Sequence, residues 1–391
     1  MTPPVHPAHP AAPAWSSLTG RRILDLSRLL PGPYATSLLA DLGADVIKVE
    51  SPGTGDPLRI APELFGALNR NKRSITLDLR AEDGRNTFLD LVRTADAVVE
   101  SFRPGVLDGM GLGPATLHEA NPRLVLCSLS GYGQSGPYAQ KPGHELNFLG
   151  LSGFFAVPGR LDGEITRPGV RIGDMAGAMH AALALTAALG AGTDTEGQHI
   201  DVSLSESITA WCSLFALPLR DLPDPLEAGL VQGDNDVFTT ADGRRLSLAT
   251  FEDKFWYRFR TGLAADFPAL DTPAYDRRAA RTAARQTVSD LLRGVFRARD
   301  HAWWQERLDG LGAPWAPVLT TPAELLADPH TTARRLFDTP ADPAACPQAR
   351  FPVTFGAGLD TFRAPAPALG EHTREVLGAE RSASDRPQRG D

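Results

Sequence analysis

A chain of 391 residues with 42% hydrophobic and 22% charged side chains can bury a real core, as two domains or one large domain with a lobe. Its 39 basic and 47 acidic residues leave a formal net charge of −8, which argues against a general nucleic-acid or anionic-membrane binder. Cys127, Cys212 and Cys346 lie far apart and form neither a metal-type spacing nor a disulfide framework, so a reducing, cytoplasmic setting is expected.

Residues 1–16 are rich in Pro, Ala and His without a basic start or an apolar stretch, and read as a flexible tail. From there short apolar runs alternate with amphipathic stretches. Strands are expected at Arg22–Ser27, Asp45–Glu50, Ser74–Leu79, Asp96–Ser101 and Arg123–Leu129. Helices are expected at Tyr34–Leu42, about Ala81–Thr94 and Pro114–Ala120, with Pro31-Gly32-Pro33 as a rigid loop before the first. Such alternation implies a mainly parallel sheet covered on both faces, with ligands at the carboxyl ends of the strands. The loops at Ser27–Pro33, Glu50–Gly55, Ser101–Gly105 and Gly131–His144 are therefore the ones to watch.

An alanine-rich helix follows near Asp174–Ala191, read as buried and as too short and weakly apolar to span a bilayer. Gln198–Leu204 reads as a strand leading into a further helix. The expected organisation is a large domain over 17–220, a linker over 221–236 and a small domain over 237–320. A C-terminal return over 321–380 and a flexible tail over 381–391 complete it. The small domain opens on a turn at Ala241-Asp242-Gly243 and a strand through Leu246–Ala249, then becomes helical.

No P-loop, G-x-S-x-G or G-x-G-x-x-G motif occurs. Taken singly, Asp174 reads as a helix cap, His144 as a loop histidine and Glu252 as the start of a helix. No metal, flavin or nicotinamide site is called for.

The chain-wide pattern says more. Leu18–Ser27, Pro31-Gly32-Pro33 and Ala40–Glu50 resemble the opening of family III CoA-transferases and 2-methylacyl-CoA racemases. So do Asn71–Leu79, Ser101-Phe102-Arg103-Pro104-Gly105, Gly131–Pro137, Gly197–Val202 and the closing Pro367–Val376. The resemblance implies an α/β fold: a Rossmann-like large domain with a mainly parallel sheet, plus a smaller α+β domain, in an interlocked homodimer. It implies an acyl-CoA thioester as the partner molecule, with CoA part of the substrate rather than a cofactor, and no nucleic acid or membrane. Arg103 matches a CoA-contacting arginine. Leu29, Lys72, Arg73, Leu79 and Phe102 fall at or near positions expected to bind the nucleotide. Ser51 stands where racemases often carry arginine.

Asp174 matches the family's catalytic aspartate, a nucleophile in the transferases and a base in the racemases. Gly143-His144-Glu145-Leu146-Asn147 resembles the racemases' Gly-His-Asp-x-Asn, with Glu145 replacing aspartate, whereas transferases generally carry an aromatic residue in place of the histidine. Ala249–Trp256 resembles the segment whose glutamate, here Glu252, orients that histidine. The segment Gln232–Phe238 departs from the racemases' Gly-Gly-Ala-Pro stretch, which lines the acyl pocket. The expectation is a racemase or epimerase in which His144 and Asp174 act on opposite faces of an enolate. Backbone amides at the start of the helix near Asp174 are expected to receive its charge. The alternatives are CoA transfer through a covalent intermediate on Asp174, and a non-catalytic CoA-binding relative.

Overall fold

The computed structural model describes residues 18–191, 196–338, 345–358 and 361–384, so the tail expected over residues 1–16 lies outside the described residues. The chain packs as two compact units. The first comprises Met1–Ser152, Pro168–Trp211 and Arg335–Asp391, and the second Gly153–Arg167 and Cys212–Arg334.

The first unit is built on β1 (Arg22–Asp25), β2 (Asp45–Glu50), β3 (Arg73–Thr76), β4 (Ala97–Glu100), β5 (Val125–Ser130) and β6 (Gln198–Ser203). They form one sheet in the order β3-β2-β1-β4-β5-β6, every neighbouring pair parallel. All residues of β1, β4 and β5 are buried, as befits central strands covered on both faces. Its helices are α1 (Pro31–Asp41), α2 (Pro62–Asn69), α3 (Glu82–Val92), α4 (Val106–Gly109), α5 (Pro114–Ala120), α6 (Glu145–Leu151) and α7 (Ile172–Gly190). One apolar layer joins Leu39, Ala178 and Leu185 of α1 and α7 to Ile23, Val99 and Cys127 of the sheet. The opposite layer joins Phe88, Leu91 and Leu117 of α3 and α5 to Leu24, Val98 and Leu126.

Two expectations change here. Pro31-Gly32-Pro33 is the first turn of α1, where proline's missing amide hydrogen is not needed and its φ is already helical. A Cβ on Gly32 would lie 2.2 Å from Ser27 Cβ, so only glycine lets the helix start that close to the end of β1. Helix α7, with 19 residues and a mean hydropathy of 1.3, is long and apolar enough to cross a membrane by length and composition. It instead packs Ala178, Ala181 and Leu185 into the core beside α1.

Helix α8 (Leu204–Ala216) carries the chain into the second unit. There β7 (Asn235–Thr239), β8 (Arg245–Ala249) and β9 (Trp315–Pro317) form an antiparallel sheet in the order β7-β8-β9. The unit's helices are α9 (Asp253–Leu263), α10 (Arg278–Ala283), α11 (Arg285–Phe296), α12 (His301–Leu311), α13 (Pro322–Ala327) and α14 (Pro329–Ala333). Phe238, Trp256, Phe259, Phe296 and Trp304 make its core aromatic.

The stretch expected as a linker over 221–236 is part of this unit. Gln232 and Asp234 are buried, Asp234 Oδ2 accepts Arg281 Nε at 2.6 Å, and a Cβ on Gly233 would lie 2.2 Å from Arg285 O. Gly233 there serves close packing rather than flexibility.

The chain then returns to the first unit and forms α15 (Thr373–Ser384), so residues 381–384 of the expected tail are helical and 385–391 lie outside the described residues. Arg363 and Ala364 donate their amides to Asn71 Oδ1, and His372 N donates to Ser74 O, so the returning segment lies along β3.

Candidate active site

Strand order reverses direction between β1 and β4, and a crevice opens outside the strand ends at such a point. A cleft of about 460 Å³ lies there within the first unit. Leu26, Leu77, Leu79, Phe102 and Met110 give it apolar walls, and Ser51, Arg28 and Arg80 line its polar side. Leu79 and Phe102, expected at the nucleotide site, are both on the lining of this cleft. Leu29 is next to the lining residue Arg28, exposed and held at φ +65°, with its amide donating to Asp56 Oδ1 at 3.1 Å. That φ is strained for a branched side chain and needs such an anchor.

Arg103 follows Phe102, is exposed, and has no ion-pair or hydrogen-bond partner for its guanidinium among the described residues. Sequence reasoning missed Arg28 and Arg80. Their signal is position: each follows closely on a strand whose carboxyl end borders the cleft. Arg28 lies over the Phe102 ring at 4.6 Å from the centroid.

Lys72 and Arg73, expected to contact the nucleotide, are spent inside the fold. Lys72 is fully buried, with Nζ at 3.0 Å from Asp25 Oδ2, 2.9 Å from Pro33 O, 2.8 Å from Thr36 Oγ1 and 2.9 Å from Asn69 Oδ1. An ammonium has three hydrogens, and these acceptors use them all. Burial pushes Lys72 down to about 8 against the opposing pull of Asp25. Burial alone would raise Asp25, but the charges of Lys72 and Lys48, with the Ser27 and Thr36 hydroxyls, hold it well below the usual carboxylate range. Arg73 grips Asp45 through two bonds and Glu375 through a third at 2.9 Å. Lys72 has no donor left for a phosphate, and Arg73 has its charge matched by two carboxylates. The Asn71-Lys72-Arg73 motif is a structural lock.

The second cluster lies where α6 meets α7. Lys141-Pro142-Gly143 runs against an aromatic pair, and a Cβ on Gly143 would lie 2.7 Å from Tyr132 Oη and 2.8 Å from Phe148 Cε1. His144 then caps α6, its amide donating to Asn147 Oδ1 at 3.0 Å, and the residue is exposed. Glu145 turns inward and is buried. Its Oε1 accepts Gly173 N and its Oε2 accepts Asp174 N, both at 2.9 Å. Glu145 is therefore the cap of α7, supplied from 28 residues upstream. Gly173 is required there, because a Cβ would come within 2.8 Å of Glu145 Oε2.

This arrangement overturns two expectations. Asp174 does not cap α7; its carboxylate has no hydrogen-bond partner among the described residues. Nor are the first amides of α7 open to an enolate: Ile172 N donates to Val170 O, Gly173 N and Asp174 N to Glu145, and Met175 N to Arg171 O. Burial first, then the nearby Glu145 charge, push Asp174 up to about 6, with Arg171 pulling the other way. A free, half-buried carboxylate in that range is a proton acceptor poised near neutral pH.

Glu252 belongs to the second unit, directly before α9, where its Oε2 meets Lys254 Nζ at 2.7 Å.

The model of CoA-transferase family III matches residues 18–373. The chain belongs to CoA-transferase family III. This family III chain is 33% identical to an acyl-CoA transferase of Fusarium pseudograminearum, over 94% of its own length and 85% of that protein's. It is 31% identical to the α-methylacyl-CoA racemase of Homo sapiens, over 92% of each. A crystal structure of a CAIB/BAIF family protein from Brucella suis matches it with a TM-score of 0.80 and 30% identity, covering 93% of this chain and 99% of that one. Both activities stand among the relatives of this family III chain, and acyl-CoA thioester substrates fit the family.

Proposed function

We propose that this family III enzyme inverts the α-carbon of a 2-methylacyl-CoA by proton transfer between two bases. The reading rests on one observation: Glu145, joined in the chain to His144, bonds the amide of Asp174, so a histidine and a free carboxylate near 6 are carried on two helix starts tied together. One base removes the α-proton and the other returns a proton to the opposite face of the enolate. Imidazole, titrating near 6.5 when unperturbed, serves in both directions. The amides of Gly173 and Asp174 take no part, since Glu145 holds them.

The test is α-deuterium uptake from D₂O by a 2-methylacyl-CoA with no carboxylate acceptor present, read by mass spectrometry. Uptake with inversion that disappears in His144→Ala supports the isomerase. Absence of uptake across several acyl chains sinks it.

The second reading is CoA transfer, favoured by the unbonded Asp174 carboxylate. An oxygen of Asp174 would attack the thioester carbonyl, forming a mixed anhydride as the C–S bond breaks and CoA thiolate leaves. An acyl or CoA adduct trapped on Asp174, without α-exchange, is the result that favours it.

Glu145 offers a further check on either reading. In Glu145→Gln the like charge beside Asp174 is gone, so the acidic limb of the pH–rate profile, set in the wild type near the Asp174 value of about 6, moves to lower pH. An unmoved limb in a folded variant assigns that limb to another group.

A further inference from the structure

Glu100 ends β4 and is 4% exposed, yet it is not part of the chemistry proposed above. Its Oε2 accepts the amide of Phe102 at 2.6 Å, and the neighbouring Ser128 hydroxyl favours the charged form of the same carboxylate. Ser128 sits directly opposite on β5, and its Oγ lies 2.9 Å from Nε2 of His199 on β6. A serine hydroxyl has one hydrogen. When the ionised Glu100 draws that hydrogen, Nε2 of His199 is the donor to Ser128 Oγ. Three adjacent strands thus each supply one member of a line that ends on the backbone of Phe102, whose ring walls the cleft and carries Arg28.

We propose that Glu100 is a positioning residue for CoA: braced by Ser128 and His199, it fixes the Phe102–Arg103 turn and so the wall and cation that meet the nucleotide. The proposal rests on reading this cleft as the nucleotide site of a family III enzyme. Burial pushes Glu100 up to about 7, with the Ser128 and Phe102 bonds opposing and Asp108 of α4 and Asp201 of β6 adding to the rise. Burial lowers His199, which faces Asp201, His118 of α5 and Asp108. Below neutral pH the carboxylate becomes a neutral acid, and its bond to the Phe102 amide weakens.

The experiment is calorimetric titration of the full chain with CoA between pH 6 and 8, alongside steady-state kinetics. Glu100→Ala leaves the Phe102 amide without its buried acceptor and is expected to weaken CoA about tenfold, raising KM more than it lowers kcat. Glu100→Gln keeps an acceptor and is expected to restore binding to within about threefold. Wild-type affinity should fall more steeply toward pH 6 than that of Glu100→Gln; titration of the CoA phosphates is common to both and cancels in the comparison. Leu79→Trp, which fills the cleft, is the control. If it leaves CoA binding intact, the cleft reading fails and takes the proposal with it. If it weakens CoA while folded Glu100→Ala binds like the wild type, only the positioning role is overturned. Should Glu100→Ala not fold, Ser128→Ala serves, with about threefold weaker binding expected and unchanged binding overturning the role.

Discussion

Asp174→Asn should lower α-deuterium uptake by about 10²–10⁴-fold, the usual worth of a positioned acid–base group. The loss should be in turnover, without unfolding. Glu145 caps α7 and the Asp174 side chain bonds nothing among the described residues, so an amide of the same shape leaves the helix start in place. Stability even gives a signed expectation. The folded-state value of Asp174 is raised to about 6, so ionising it costs folding free energy as pH rises from the ordinary carboxylate range through 6. Asparagine carries no such cost, and Tm at pH 7.5 should equal or slightly exceed that of the wild type. A variant that loses exchange and also melts early would point to a structural defect instead. Measuring exchange and melting on the same preparation separates the two.

Lys72→Met should destabilise the first unit by about 3–5 kcal/mol, because it leaves Asp25 buried without its cation. For a unit of this size that is roughly a 10 °C fall in Tm. Lys48 is also close to Asp25 but is itself engaged with Asp56 Oδ2 at 2.9 Å and Ser27 O at 2.9 Å, and cannot replace the lost bonds. The affinity of the remaining folded protein for CoA should change little. The opposite pattern, weaker CoA binding with unchanged Tm, would return Lys72 to the nucleotide site. Thermal melts read against CoA titrations decide the matter.

What the sequence made legible was local. Asp45–Glu50 and Pro114–Ala120 lie where periodicity placed them, because each carries its apolar face in a few consecutive residues. Strand β7 was missed: in Asn235-Asp236-Val237-Phe238-Thr239 only Phe238 is buried, which is too little alternation to register as a strand. The family's motifs singled out Leu79 and Phe102, which line the cleft, and Asp174, whose carboxylate is unbonded among the described residues. They misplaced Lys72, since a motif marks that a residue matters and not whether it serves a ligand or the fold. Only the arrival of Asp25, 47 positions earlier, reveals where its charge goes. Glu145 looked like a variant next to the histidine. Its partners, the amides of Gly173 and Asp174, belong to another helix, and nothing in the local pattern announces a cap supplied from such a distance.

The returning C-terminal segment ties the order of synthesis to the order of folding. Strand β3 is an edge of the parallel sheet, and the bonds from Arg363, Ala364 and His372 that cover it come from the end of the chain. A ribosome making this protein exposes β3 long before Arg363, Ala364 and His372 emerge to cover it. The second unit is complete once Arg334 has emerged, while the first still awaits its closing piece. Through that interval an unprotected sheet edge faces the cell, the kind of surface that invites association with other chains or with chaperones.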